Sequence, residues 1–319
     1  MIKKSLLIIG LLALWMGSMF YAVGLGGLAG KHAPDMVEYP ALKTIDVVEV
    51  VASFTGLPGD ISCASGALDC GNKDTDGRRE VSCQDFSSHQ GEDRVAVLFA
   101  FGQSNSANFA RDRYAAGPQV ANFSYHTGKC YEAEDPLLGA NGVGGSVWGI
   151  VADKLVASGD YDAVLIAPFG IGGTSIKRWV PSGDLHVRVK AVAEKLAELD
   201  ISPTHILWHQ GESDSGASSS MTSQGYVDHF DVLVDSMRSY GLDAPVFAAI
   251  ATVCNNPGSD AIRAAQRSLP EQIDGVYLGP DTDRLTGSRY RFDLCHFNHI
   301  GMEAHARLWL AAFADATPG

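Results

Sequence analysis

The chain has 319 residues, 46% of them hydrophobic and 35 of them glycine, which argues against disorder and fits a packed core with many turns. Its formal net charge of −13 argues against a nucleic-acid backbone or an anionic membrane surface as partner and suits a neutral or weakly charged ligand. A single α/β domain is common at this length.

Lys3 and Lys4 precede a stretch from Ser5 to Gly30 without a charged residue. Cleavable export signals carry about 7–15 apolar residues and membrane-spanning helices about 17–25. Residues 1–30 therefore read as a signal peptide or an N-terminal membrane anchor, with anchoring through residues 5–30 in the second case. The paired lysines favour a cytoplasmic N-terminus, so the rest of the chain is expected in the periplasm or outside the cell. Six cysteines agree with export: Cys63, Cys70, Cys83, Cys130, Cys254 and Cys295. No Cys-x-x-Cys and no zinc-like Cys/His spacing occurs, so disulfides are expected rather than metal. Cys63–Cys70 would close a short loop, and Cys254–Cys295 would join a strand end to the segment before His296.

Residues 31–90 read as a polar, cysteine-containing stalk or preface, rich in Gly, Asp and Ser and without an apolar period. Asn72, Asp74 and Asp76 precede Gly77, but no Glu stands at the closing position of a calcium loop. This is a polar loop.

From 91 to 319 the pattern is that of one layered domain. Five near-continuous apolar runs appear: "RVAVLFAFG", "DAVLIAPFG", "HILWHQG", "PVFAAIATV" and "GVYLG". Such runs suit strands buried on both faces of a parallel sheet. Between them lie amphipathic stretches, one with Leu185, Val189, Val192 and Leu196 on a single stripe. The alternation predicts right-handed crossovers and a layered α/β domain. Ligands bind beyond the carboxyl ends of such strands. The residues there read "GQSN", "GIGGTS", "HQGESD", "CNNPGSD" and "GPDTD".

A serine nucleophile needs a base, a group that orients the base, and donors for the oxyanion. Ser104 ends the first strand, and Asp293 and His296 stand in a D-x-x-H pattern near the other end of the chain. In that spacing the carboxylate can hold one imidazole nitrogen while the other faces the serine. Candidate oxyanion donors are the amides of Ser104 and of Gly172 or Gly173, with the side chain of Gln210. No G-x-S-x-G elbow surrounds Ser104, which argues against the α/β-hydrolase fold. Trp148, Trp179 and Trp208 are either sugar-stacking rings or core packing. His209 lines the pocket or backs it, and His299 and His305 are expected at the surface or as caps.

The motifs "GQSN", "GIGGTSI..W", "WHQGESD" and "D..HFN..G", in that order, resemble the SGNH hydrolase superfamily, in its sialate O-acetylesterase and acetylxylan esterase branch of carbohydrate esterases. The resemblance runs from Arg94 to Phe313 and includes Arg263 and Gln266. It implies a three-layer α/β/α sandwich on a parallel, five-stranded, flavodoxin-like sheet. It also implies a serine esterase that removes O-acetyl groups from carbohydrate, such as acetylated polysaccharide or sialic acid, without a cofactor. Ser104 then matches the nucleophile, His296 the base, Asp293 its carboxylate, and Gln210 the block-three oxyanion position. The usual Met after "GQSN" is Ser106 here. Glu212 is the alternative acid, since some relatives use this glutamate in the triad. An esterase acting on a non-carbohydrate acyl ester, and a non-catalytic carbohydrate-binding domain keeping the fold, are the alternatives in function.

Overall fold

The apolar run after Arg94 forms the strand around which the sheet is built. A computed structural model describes residues 70–87 and 94–316. The 1–30 segment with its signal or anchor reading, most of the 31–90 preface, and Cys63 lie outside the described residues.

Eight strands form one sheet: β1 (Glu80–Val81), β2 (Val95–Gly102), β3 (Val120–Ser124), β4 (Lys129–Glu132), β5 (Ala163–Pro168), β6 (His205–His209), β7 (Val246–Ile250) and β8 (Val276–Asp281). Their order is β1-β4-β3-β5-β2-β6-β7-β8. The six from β3 to β8 across the sheet run parallel, while β4 pairs antiparallel with β3 and β1 with β4. The expectation of five strands is corrected to eight. The five apolar runs became β2, β5, β6, β7 and β8. The additions are β3, whose Asn122 and Ser124 interrupt its apolar run, and beyond it the short strands β4 and β1.

Side chains alternate along β2, with Ala96, Leu98 and Ala100 on one face and Val97, Phe99 and Phe101 on the other, all buried. The first face packs on α1 (Trp148–Ser158) and α6 (His299–Ala316). The second packs on α2 (His186–Ala197), α4 (Ser223–Ser239) and α5 (Asp260–Gln272). A short α3 (Glu212–Ser215) follows β6. These are the three layers the sequence predicts. Each core helix on the second face shows its apolar stripe, such as Val189, Val192 and Leu196 of α2. Thr222 and Ser259 cap α4 and α5, each accepting a backbone N–H in the first turn.

Residues 70–87 lean on this domain. Strand β1 pairs with β4, Cys83 is bonded to Cys130, and the buried Arg188 guanidinium donates to the carbonyls of Cys70 (2.6 Å) and Gly139 (2.7 Å). Cys254 is bonded to Cys295 as expected. Cys70 is also disulfide-bonded, and its expected partner Cys63 lies outside the described residues. Among the described residues no helix is long and apolar enough to cross a membrane.

The chain passes from β5 to β6, that is, from one side of β2 to the other. Such a reversal leaves a crevice at the carboxyl end of the strand between them. Ser104 stands at that end.

Candidate active site

Gly102 closes β2 with φ at +132°, and a side chain there would run into the His209 carbonyl oxygen. Glycine alone lets β2 and β6 approach so closely where the chain turns. The Gln103 amide donates to that same carbonyl (3.0 Å), and a single 3-10 turn, Ser104–Ser106, follows. Two side chains hold the turn from below. Gln103 Oε1 accepts from the Ser213 amide (3.0 Å), and Asn105 Nδ2 donates to Glu212 Oε1 (2.9 Å) and to the Cys295 carbonyl (3.4 Å). The last contact joins the serine turn to the histidine loop. The Ser104 side chain itself has no hydrogen-bond partner among the described residues.

The histidine loop is shaped by buried Arg291, which donates to the carbonyls of Leu285 (2.7 Å), Thr282 (3.0 Å), Val253 (3.1 Å) and Cys295. A guanidinium can satisfy many carbonyls in an irregular segment because its donors spread in a fixed fork. Within the loop, Asp293 Oδ2 lies 2.6 Å from His296 Nδ1, and Oδ1 accepts the amides of Cys295 (2.9 Å) and His296 (2.6 Å). Burial alone would raise the Asp293 pKa. The His296 ring and the two amides outweigh burial and hold it below the usual carboxylate range. The His296 ring stacks on Phe109, with centroids 5.4 Å apart. Ser104 and His296 are not hydrogen-bonded to each other.

Two expected oxyanion donors are already engaged. The Gly172 amide donates to Asn141 Oδ1 (2.9 Å). Gln210 Nε2 donates to the Thr174 carbonyl (2.9 Å) and to Asp214 Oδ2 (2.6 Å), and the residue is fully buried. The amides of Ser104 and Gly173 donate to no backbone acceptor among the described residues.

Glu212 does not touch His296. Burial pushes its carboxyl up to about 7, and Oε2 has no hydrogen-bond partner among the described residues. His209 Nε2 stands 3.8 Å from Glu212 Oε1, but burial drives that imidazole down to about 3, so the two form no ion pair near neutrality. The three tryptophans are fully buried and belong to the core. His305 is fully buried as well, against the expectation of a surface position. It faces inward on α6 and takes a hydrogen bond from Trp309 Nε1 (2.9 Å). Arg263, singled out with the motifs, pairs with Asp283 (2.5 Å) and Asp281 (3.1 Å), away from Ser104. Sequence reasoning did not find Phe109, Asn141 or Arg291; none sits in a motif, and their roles arise from contacts distant in the chain.

The sequence profile of the family described as "Carbohydrate esterase, sialic acid-specific acetylesterase" matches residues 95–306, about two thirds of the chain. The chain belongs to this family. No curated protein matches it. Among solved structures, a protein from Arabidopsis thaliana is similar at 21% identity and a TM-score of 0.55, over 70% of this chain and 97% of that one. A carbohydrate acetylesterase from Xanthomonas citri is similar at 14% identity and a TM-score of 0.49, over 70% and 57%. A variant acetyl-xylooligosaccharide esterase from Geobacillus is similar at 14% identity and a TM-score of 0.42, over 69% and 93%. The fold is that of the SGNH hydrolases, and family membership makes the chain a carbohydrate esterase in kind.

Proposed function

We propose that this protein is an exported serine esterase that removes O-acetyl groups from carbohydrate, with Ser104 as nucleophile, His296 as base and Asp293 as its orienting carboxylate. The contact between Asp293 Oδ2 and His296 Nδ1 at 2.6 Å carries the reading. With the Nδ1 proton held by the carboxylate, the lone pair of Nε2 is left to take a proton.

In this scheme Nε2 accepts the Ser104 proton as Oγ attacks the acetyl carbonyl. The tetrahedral oxyanion is met by the amides of Ser104 and Gly173. His296 then returns the proton to the departing sugar oxygen, leaving acetyl-Ser104. Water, activated by the same imidazole, releases acetate and restores the serine. Gly172 and Gln210 take supporting parts, the first by fixing the glycine loop to Asn141 and the second by tying that loop to Asp214. Glu212 acts on the serine turn through Asn105, not on the base. The scheme requires Ser104 and His296 at hydrogen-bonding distance in the reacting complex. The scheme uses no cofactor.

The test is acetate release from acetylated xylan, O-acetylated sialic acid and O-acetylated peptidoglycan, with Ser104→Ala as control. Release from at least one carbohydrate, lost in the variant, is expected. Hydrolysis confined to lipid or small aliphatic esters would overturn the carbohydrate reading.

A further inference from the structure

A cavity of about 630 Å³ opens between residues 71–78 and the segment from Glu134 to Val143. That volume lies within the range of roughly 300–1,000 Å³ usual for small-molecule sites. Neither Ser104 nor His296 lines it. One of its walls, 71–78, falls outside the 95–306 family match, so the cavity is made partly by chain that the family does not define.

The walls are pinned together. Asn72 and the opposite strand of chain exchange backbone bonds, Asn72 N to Ala140 O (2.8 Å) and Gly139 N to Asn72 O (2.9 Å). Asn72 Nδ2 reaches the Pro136 carbonyl (2.7 Å), and the Arg78 guanidinium donates to the carbonyls of Glu134 and Pro136. The cleft is therefore formed before any ligand arrives. There the buried Asp135 accepts the amides of Tyr114 and Ser146 at Oδ2, while Oδ1 has no hydrogen-bond partner among the described residues.

The cleft also shares a wall with the catalytic centre. Asn141 lines it and holds the Gly172 amide. Gly142 lines it and presses so closely on Phe109 that a side chain at 142 would strike the ring. Phe109 in turn stacks on His296. A chain of sugars with one acetylated unit at Ser104 would have its next units near this opening.

We propose that this cleft binds the sugar units neighbouring the acetylated one, and that the substrate is a neutral acetylated oligosaccharide. This rests on the esterase reading above. The lining chemistry chooses the class. Asp74, Asp76, Glu134 and Asp135 line it together with Lys73, Arg78 and Arg113, so carboxylate acceptors and cationic groups are both at hand, as sugar hydroxyls require. Four carboxyl residues against three cations leave no cationic excess to hold an acidic sugar, and the chain as a whole carries −13.

The experiment compares kcat/KM on p-nitrophenyl acetate, mono-acetylated xylose, mono-acetylated xylotriose and O-acetylated sialic acid. The full-length chain is set beside Asp76→Ala, Glu134→Ala and the double variant, none of which touches the catalytic groups. The trisaccharide is expected to exceed the monosaccharide by about tenfold in kcat/KM, through KM. The double variant loses that gain and keeps its rate on p-nitrophenyl acetate. Calorimetric titration of unacetylated xylotriose into Ser104→Ala should show binding that the added Asp76→Ala and Glu134→Ala changes abolish. Equal rates on mono- and trisaccharide, a gain that survives the double variant, or a preference for sialic acid each overturns the proposal while leaving the esterase intact. Failure to cleave p-nitrophenyl acetate at all, with no acetate released from any sugar, would instead bring down the esterase reading and this proposal with it.

Discussion

Asp293 holds His296 at two points at once: Oδ2 meets the ring at Nδ1 (2.6 Å) and Oδ1 accepts the residue's own amide (2.6 Å). One carboxylate thus fixes both the ring and the backbone that carries it. Glu212, the other acid near the site, accepts from the Asn105 side chain instead.

The two acids should therefore separate cleanly on substitution. Asp293→Asn keeps the size but reverses the hydrogen-bond preference at Nδ1, and kcat on p-nitrophenyl acetate is expected to fall by about 10⁴. Glu212→Gln can still accept from Asn105, and its kcat should stay within about tenfold of wild type. Steady-state kinetics of both variants is the measurement. A collapse in Glu212→Gln with a near-normal Asp293→Asn would reverse the assignment.

Ser104→Ala should be silent in stability and nearly complete in effect on rate. The hydroxyl has no hydrogen bond among the described residues, so its removal leaves no buried partner unsatisfied, and the change in folding free energy should lie within about 0.5 kcal/mol. Loss of a serine nucleophile is expected to lower kcat by about 10⁶. Thermal melting with acetate release tests both halves, and retained activity would remove Ser104 from the mechanism.

The two described disulfides close loops of similar length, with sequence separations of 41 for Cys254–Cys295 and 47 for Cys83–Cys130. Loop-closure entropy gives each about 4 kcal/mol by the chain-entropy argument. Only the first adjoins the base, since Cys295 precedes His296. Replacing both members of Cys254–Cys295 by Ser should therefore lower Tm and kcat together. Replacing Cys83 and Cys130 should lower Tm and leave kcat on p-nitrophenyl acetate unchanged. Equal kcat in both double variants would show that the histidine loop does not depend on its disulfide.

Fold and site were legible to different depths. Strands buried on both faces carry long apolar runs, which is why β2, β5, β6 and β7 stand out in the sequence. β3 is five residues long and includes the buried Asn122, whose side chain donates to the carbonyls of Phe123, Leu138 and Ile166 and accepts the Leu138 amide, so most of its partners come from elsewhere in the chain. Nothing local marks it. The serine turn and the D-x-x-H pair were readable because their spacing is local. The occupation of Gln210 and Gly172 was not readable, since Asp214, Thr174 and Asn141 reach them only in the folded chain. The burial of His305 was hidden for the same reason: its partner Trp309 is one turn away, but the layer covering both comes from another part of the sheet.

Glu212 should leave a mark on the pH dependence of stability. Its carboxyl is raised from 4.5 to about 7, chiefly because it is buried. Between those values the folded protein holds the proton while the unfolded chain has released it. The unfolded state then binds fewer protons, so this residue's contribution to stability falls as pH rises from about 4.5 to about 7 and is level on either side. At roughly 1.4 kcal/mol per pH unit the loss amounts to about 3 kcal/mol. Glu212→Gln has no proton to release, so it should gain about that much on wild type across the window. Urea unfolding of both proteins at pH 4.5, 6 and 7.5 measures the gap. A constant gap would mean that Glu212 is ionised in the folded protein throughout, with Arg291 as the neighbouring charge able to hold it so.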